Sequence, residues 1–188
     1  MSQSGVVKTL GISGSLRKAS YNTATMRAAV ELLPEGMSLE IADIAEIPIY
    51  NEDVRQAGFP LAVQRLRDQI AAADALLVAT PEYNYSMPGV LKNAIDWASR
   101  PPDQPFNGKP IGIMGVTSSL WGTARAQYHL RQSCVFLNMF PMNKPEVLVA
   151  QAPAKFDAGL RLTDQTTRDI IAQLLVALRD WTRRLRQG

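Results

Sequence analysis

Five times along this chain a short apolar run gives way to a polar loop and then to a segment with helical spacing, and that alternation limits the fold more than any single motif. The apolar runs fall at 6–12, 37–43, 75–79, 109–116 and 145–149. Helical patterns follow each of them: one ending at about 33, one over 61–73, one opened by Pro88 and Gly89, one over 124–136, and one over 163–185. The last carries Ile170, Ile171, Leu174, Leu175, Leu178, Trp181 and Leu185 on one stripe, which suits packing on a sheet. Strands alternating with helices predict an α/β fold, a doubly wound, five-stranded parallel sheet with helices on both faces. By fold analogy, strand order 2-1-3-4-5 brings the loops after the first, third and fourth strands together at a switch point.

Three segments lie outside the alternation: a long connection over 47–60, an irregular stretch over 138–144, and an expected mobile excursion over 151–162. With 188 residues, 46% of them apolar and 20% charged, the chain suits one domain spanning 1–188 with a core on each face of the sheet. Its longest apolar runs, 71–79 and 111–116, are too short to cross a bilayer, and 1–8 lacks an apolar signal core. The expectation is a cytoplasmic protein with no membrane insertion.

Several function classes fall away on residue counts. The one cysteine, Cys134, lies in an apolar stretch and reads as a buried hydrophobe; it allows neither an internal disulfide nor a multi-cysteine metal site. The one histidine, His129, has no histidine partner at metal spacing and reads as a solvated or packing residue, so no metal is expected. Much of the net charge of +3 comes from Arg179, Arg183, Arg184 and Arg186 in the last helix, where it complements the helix dipole. No nucleic-acid-binding module is present, and small anions fit this charge equally well.

The chemistry concentrates in the loops that follow strands. After the first strand, Gly14 permits close backbone approach, Ser15, Ser20, Asn22 and Thr23 offer hydrogen bonds, and Arg17 offers a charged fork just where a helix begins. This reads as a phosphate site, with simple helix capping by Ser20 or Asn22 as the alternative. Neither the Gly-x-Gly-x-x-Gly fingerprint nor the Gly-x-x-x-x-Gly-Lys-Ser/Thr loop occurs. After the third strand, Pro81, Glu82, Tyr83, Asn84, Tyr85 and Ser86 crowd more functional groups into a loop than a turn needs. After the fourth come Thr117 and Ser118, followed by Trp121, Gly122 and Thr123.

Gly-Ser-Leu-Arg-Lys-Ala-Ser-Tyr-Asn at 14–22, Pro-Glu-Tyr-Asn-Tyr-Ser-Met-Pro-Gly-Val-Leu-Lys-Asn-Ala-Ile-Asp-Trp at 81–97 and Ala-Arg-Ala-Gln-Tyr-His-Leu-Arg-Gln at 124–132 carry a resemblance. On them the sequence resembles the NADPH-dependent FMN reductase family, in particular its chromate and quinone reductase branch, which has a flavodoxin-like fold. The resemblance implies that Ser15, Arg17, Ser20, Asn22 and Thr23 hold the FMN phosphate. It implies that Pro81, Glu82, Tyr83, Asn84 and Ser86 lie along the flavin ring, with Thr117 and Ser118 near its other side. Two adjacent glycines are common in relatives where this chain has Gly122 and Thr123, and a β-branched residue resists positive φ, which implies a differently shaped third loop.

The implied activity is two-electron transfer from NADH or NADPH through bound FMN to a small-molecule acceptor: a quinone, chromate, a ferric complex or an azo compound. No side chain is required as acid or base, so no catalytic residue is assigned. A flavodoxin-type electron carrier is the alternative, although the chain lacks the strong acidic block such a carrier would use for docking. A third class is an interaction module with a vestigial pocket. The family also implies a homodimer or homotetramer, with Arg125, Tyr128 and Glu146 as possible interface groups.

Overall fold

A computed structural model describes residues 5–187. Strand β1 (Val7–Ser13) leads to helix α1 (Tyr21–Glu31) and strand β2 (Met37–Ala42). Helices α2 (Glu52–Gln56) and α3 (Leu61–Ala72) precede β3 (Ala75–Ala79), α4 (Gly89–Ala98), β4 (Pro110–Val116) and α5 (Ala124–Phe136). Two short strands, β5 (Phe140–Pro141) and β6 (Val147–Val149), precede the terminal helix α6 (Gln165–Leu185).

All pairings are parallel and run β2-β1-β3-β4-β5, with β6 also on β4, so the expected 2-1-3-4-5 order holds. The fifth position is broken in two. Phe140 and Pro141 pair with Pro110 and Ile111, while residues 147–149 pair with 114–116. The sequence places a single strand at 145–149 and calls 138–144 irregular, whereas part of that irregular stretch joins the sheet. Pro141 and Pro145 lack the N–H that an uninterrupted strand would use, which accounts for the break.

Period-two alternation divides the core. On β3, Ala75, Leu77 and Ala79 face the layer of α1 and α6, whereas Leu76 and Val78 face that of α3, α4 and α5. Burial on both faces explains why the strand reads as an unbroken apolar run rather than as an alternating one. Helix α6 fills its side with Ile171, Leu174, Leu175 and Leu178, all at most 1% exposed. Each such side chain contributes about 1.5–3 kcal/mol relative to exposure. On the other side Cys134 is buried as expected, and burial pushes its thiol pKa up to about 11.

Two connections are more ordered than their composition suggests. The expected mobile excursion over 151–162 holds a short 3-10 helix, Ala152–Ala154, and an antiparallel bridge between Phe156 and Leu162. Ala152, Phe156 and Leu162 enter the core of the α1 and α6 layer, and the Phe156 ring lies 4.9 Å from that of Tyr21. An apolar residue every few positions outweighs the loop-like composition between them.

The 47–60 connection contains α2, capped by Asn51, and is fastened to α4: Asn93 Nδ2 and Trp97 Nε1 both donate to the Pro48 carbonyl at 2.8 Å. The buried Arg67 guanidinium donates to the carbonyls of Ala98 and Arg100 at 2.6 and 2.7 Å, with Phe59 stacked 4.2 Å away. No helix among the described residues is long and apolar enough to cross a membrane.

Candidate active site

Parallel pairing puts the carboxyl ends of β1, β3 and β4 side by side, so the three polar loops that follow them converge. Packing holds the first two together: Gly14 N donates to the Ala79 carbonyl at 2.8 Å, and a Cβ on Gly14 would stand only 3.2–3.3 Å from Leu91 and Pro81. Between the loops lies a cleft of about 140 Å³. Ser15, Arg17, Ser20 and Asn22 line it from the first loop, Pro81, Glu82 and Tyr83 from the second, and Thr117 and Ser118 from the third. Tyr21, which the sequence reading does not single out, joins them. Larger depressions, of about 410 Å³ beside Trp181 and about 520 Å³ at the start of β1, lie away from these loops.

The amino end of α1 forms one wall. Ser20 is its N-cap and accepts from Thr23 N at 3.2 Å, which leaves the Tyr21 and Asn22 amides without an internal acceptor among the described residues. Arg17 stays exposed, its Nη2 donating to the Ala19 carbonyl at 2.6 Å and its guanidinium 5.7 Å from the Tyr21 ring. The other side chains of this set have internal duties. Asn22 donates to the Val116 carbonyl at 2.9 Å and accepts from Val116 N at 3.0 Å, so it pairs with the end of β4 as a neighbouring strand residue would. Thr23 lies 2.9 Å, Oγ1 to Oγ, from Ser13. Capping and anion binding, the two readings of this loop, are therefore divided among its residues.

The second loop is a tight hairpin. Tyr83 N donates to the Ser86 carbonyl at 3.0 Å and Ser86 N returns a bond to Tyr83 at 2.9 Å. Asn84 and Tyr85 between them have φ of 49° and 65°, as a type I′ turn demands. Asparagine tolerates this region; a residue as bulky as tyrosine rarely enters it.

Helix α5 holds the turn from outside. Arg125 lies with its guanidinium carbon 3.6 Å from the centre of the Tyr85 ring, and His129 Nδ1 is 2.8 Å from Ser86 Oγ. Glu82, its side chain only 6% exposed, takes the Arg125 side chain as its ion-pair partner and caps α5 by accepting from the Arg125 and Ala126 amides. The carboxylate raises the Arg125 pKa, so the guanidinium stays charged.

The third loop absorbs its β-branched residue without strain. Gly122 takes φ of 60°, and Thr123 has φ of −122° as the buried N-cap residue of α5. A Cβ on Gly115 would collide with Thr123 Oγ1 and the Thr80 carbonyl, so the glycine makes room for the threonine.

Residues 7–154 match the family described as NADPH-dependent FMN reductase. The chain belongs to this family. An NAD(P)H-dependent FMN reductase of Pseudomonas aeruginosa is 63% identical over 180 residues, covering 96% of this chain and 97% of that protein. A quinone reductase of Escherichia coli K12 is 45% identical, with 92% of this chain and 94% of that protein covered. Among solved structures, the flavoenzyme NAD(P)H:(acceptor) oxidoreductase FerB of Paracoccus denitrificans superposes with a TM-score of 0.86 at 35% identity, covering 95% of this chain and 98% of that one.

The family's cofactor fits the donor set. Two free helix amides, the Ser15 hydroxyl and the Arg17 guanidinium present positive and donor groups to one cleft, which suits a phosphate. Tyr83, half-exposed, borders the same cleft. Thr23, Asn84 and Ser86 of the expected set do not line it: Thr23 Oγ1 meets Ser13 Oγ, and Asn84 and Ser86 belong to the hairpin turn.

Of the possible interface groups, Arg125 is turned inward to Glu82, whereas Tyr128 and Glu146 border a shared depression with Arg131. The role of α5 as a clamp on the second loop is the feature that sequence reasoning misses. Its trace is the spacing of Arg125 and His129, one helical turn apart on the same face.

Proposed function

We propose that this chain is an FMN-dependent NAD(P)H oxidoreductase that passes two electrons to a quinone. The observation that carries the reading is the pair of free amides at the start of α1, beside Arg17 and Ser15, at the switch point between β1 and β3. The names of its relatives, FMN reductase and quinone reductase, point the same way.

When bound, FMN would supply the two-electron redox chemistry, by which NAD(P)H, a proton and a quinone become NAD(P)⁺ and a hydroquinone. The residues hold and orient it. Ser15, Arg17 and Ser20 bind the phosphate together with the Tyr21 and Asn22 amides, and the Thr23 and Asn22 side chains fix that corner to β1 and β4. Pro81, Glu82, Tyr83, Asn84 and Ser86 present the rigid second loop to one side of the ring, and Thr117 and Ser118 flank the other. Rigidity of these loops favours electron transfer by keeping donor and acceptor in register.

Purified protein titrated with FMN should retain the flavin and turn yellow. NADPH or NADH should bleach it without air, and a quinone should restore the colour. Colour without bleaching would favour the flavodoxin-type carrier, and no FMN uptake would defeat both readings. Chromate, ferric complexes and azo compounds belong in the same acceptor panel.

The whole chain is proposed to act as one FMN-binding domain in the cytoplasm, assembled as a homodimer or homotetramer. The outer face of α5, with Val135 and Phe136 more than four-fifths exposed near Tyr128, supports assembly. Light scattering at micromolar concentration tests it, and a monomer would overturn it.

A further inference from the structure

The second loop carries a conformational cost that something must offset. Tyr85 sits at φ 65°, a region disfavoured for a residue with a bulky side chain. The backbone pair between Tyr83 and Ser86 closes the turn, yet that pair must itself be kept in place. On the Tyr83 side, the neighbouring Glu82 is anchored to the first turn of α5 by three hydrogen bonds. On the Ser86 side, the one side-chain anchor among the described residues is His129, whose Nδ1 lies 2.8 Å from Ser86 Oγ.

Arg125 and His129 stand four residues apart, so one face of α5 grips both stems of the turn. His129 is exposed, makes no ion pair among the described residues, and has no metal-binding cluster around it. Its contact with Ser86 is the feature that sets it apart from an ordinary surface histidine.

We propose that His129 is a positioning residue for the flavin loop: by holding Ser86 Oγ it keeps the hairpin over 83–86 closed, and so fixes the segment from Pro81 to Tyr83 that borders the cleft. The proposal rests on the flavin reading for its functional consequence, but the clamp itself is a property of the protein without flavin. His129 does not line the cleft; it acts through Ser86.

Amide hydrogen exchange on flavin-free protein reads the clamp directly, and fluorescence titration with FMN reads its consequence. In His129→Ala the Tyr83 and Ser86 amides should exchange about fivefold faster and the FMN Kd should rise about fivefold, the loss of one ordinary hydrogen bond. His129→Asn, whose amide group replaces the near side of the imidazole, should restore most of both. Ser86→Ala should match His129→Ala, and the double variant should be no worse than either single one, since they remove the same contact.

Unchanged exchange and affinity in His129→Ala would overturn the proposal, as would additive effects in the double variant or failure of His129→Asn to rescue. If wild-type protein fails to bind FMN at all, the flavin reading falls, and the exchange measurement still decides whether the clamp exists.

Discussion

Glu82 and Arg125 join the end of β3 to the first turn of α5: the buried carboxylate accepts from Arg125 Nε at 2.6 Å and from the Arg125 backbone amide at 3.0 Å. One side chain therefore serves as helix cap, ion-pair partner and loop anchor. The arrangement couples the second loop to a helix that begins more than forty residues later in the chain.

That triple duty predicts an asymmetry. Glu82→Ala strips the cap and leaves the guanidinium unpaired, a loss of about 2–3 kcal/mol, whereas Arg125→Ala leaves the carboxylate its two amide donors and costs about 1 kcal/mol. Thermal unfolding checks this, with the midpoint falling about 2–4 °C per kcal/mol in a chain of this length. Equal losses would contradict the capping role.

Tyr85 sets backbone strain against a cation–π contact. Glycine relieves a left-handed cost of about 1–2 kcal/mol while giving up about 0.5–1 kcal/mol of attraction to Arg125. Tyr85→Gly should consequently stabilise the fold slightly, and Tyr85→Ala, which keeps the strain and loses the ring, should destabilise it. Chemical denaturation of both variants tests the opposite signs.

Asn22 should be more costly to change than its position in a polar loop suggests. Asn22→Ala strands the buried Val116 amide and carbonyl, for about 2–4 kcal/mol. Asn22→Asp keeps the acceptor but turns a carboxylate oxygen toward the Val116 carbonyl, so at neutral pH it should gain little over alanine. Unfolding midpoints together with FMN affinity measure both effects, and a harmless Asn22→Ala would show that the β4 contact is dispensable.

Asp164 makes a pH-dependent contribution at the start of α6. The Thr167 hydroxyl, then Lys155, hold its pKa below the ordinary 3.8. A depressed folded-state pKa means that the contribution is fully present above about pH 4 and is lost as pH falls through the lowered value. The gap in thermal midpoint between wild type and Asp164→Ala, reflecting about 1 kcal/mol of capping, should be constant from pH 7 to 5 and narrow below pH 4. A gap that widened on acidification would refute this assignment.

The strand-helix alternation and the three loop positions are legible in the sequence because the central strands β3 and β4 are buried on both faces and read as unbroken apolar runs, and because each loop is bounded by proline or glycine; the strand order comes from fold analogy. Side-chain assignments within the loops are less so. Asn22 and Glu82 read as ligand groups by type, and the structure adds what the sequence does not show, their bonds to Val116 and Arg125 across 94 and 43 residues of chain. Phe156 and Leu162 were hidden for a related reason: isolated apolar residues in a polar stretch show no periodicity until the core they enter is known. His129 carries no signal by itself, since its meaning depends on Ser86.

The broken fifth position also governs what the molecule can do with its own margins. A strand edge invites another chain to add to it, and the invitation grows with uninterrupted length. Beyond β4 the protein offers only two residues, then three, with Pro141 inside the first piece and Pro145 shortly before the second. The opposite margin, β2, is six residues long, with Ser38, Glu40 and Ile41 exposed along it. Growth by sheet extension is thus closed at one margin and opposed by a carboxylate at the other, which leaves helix faces as the surfaces through which copies of this chain can associate without templating a fibre.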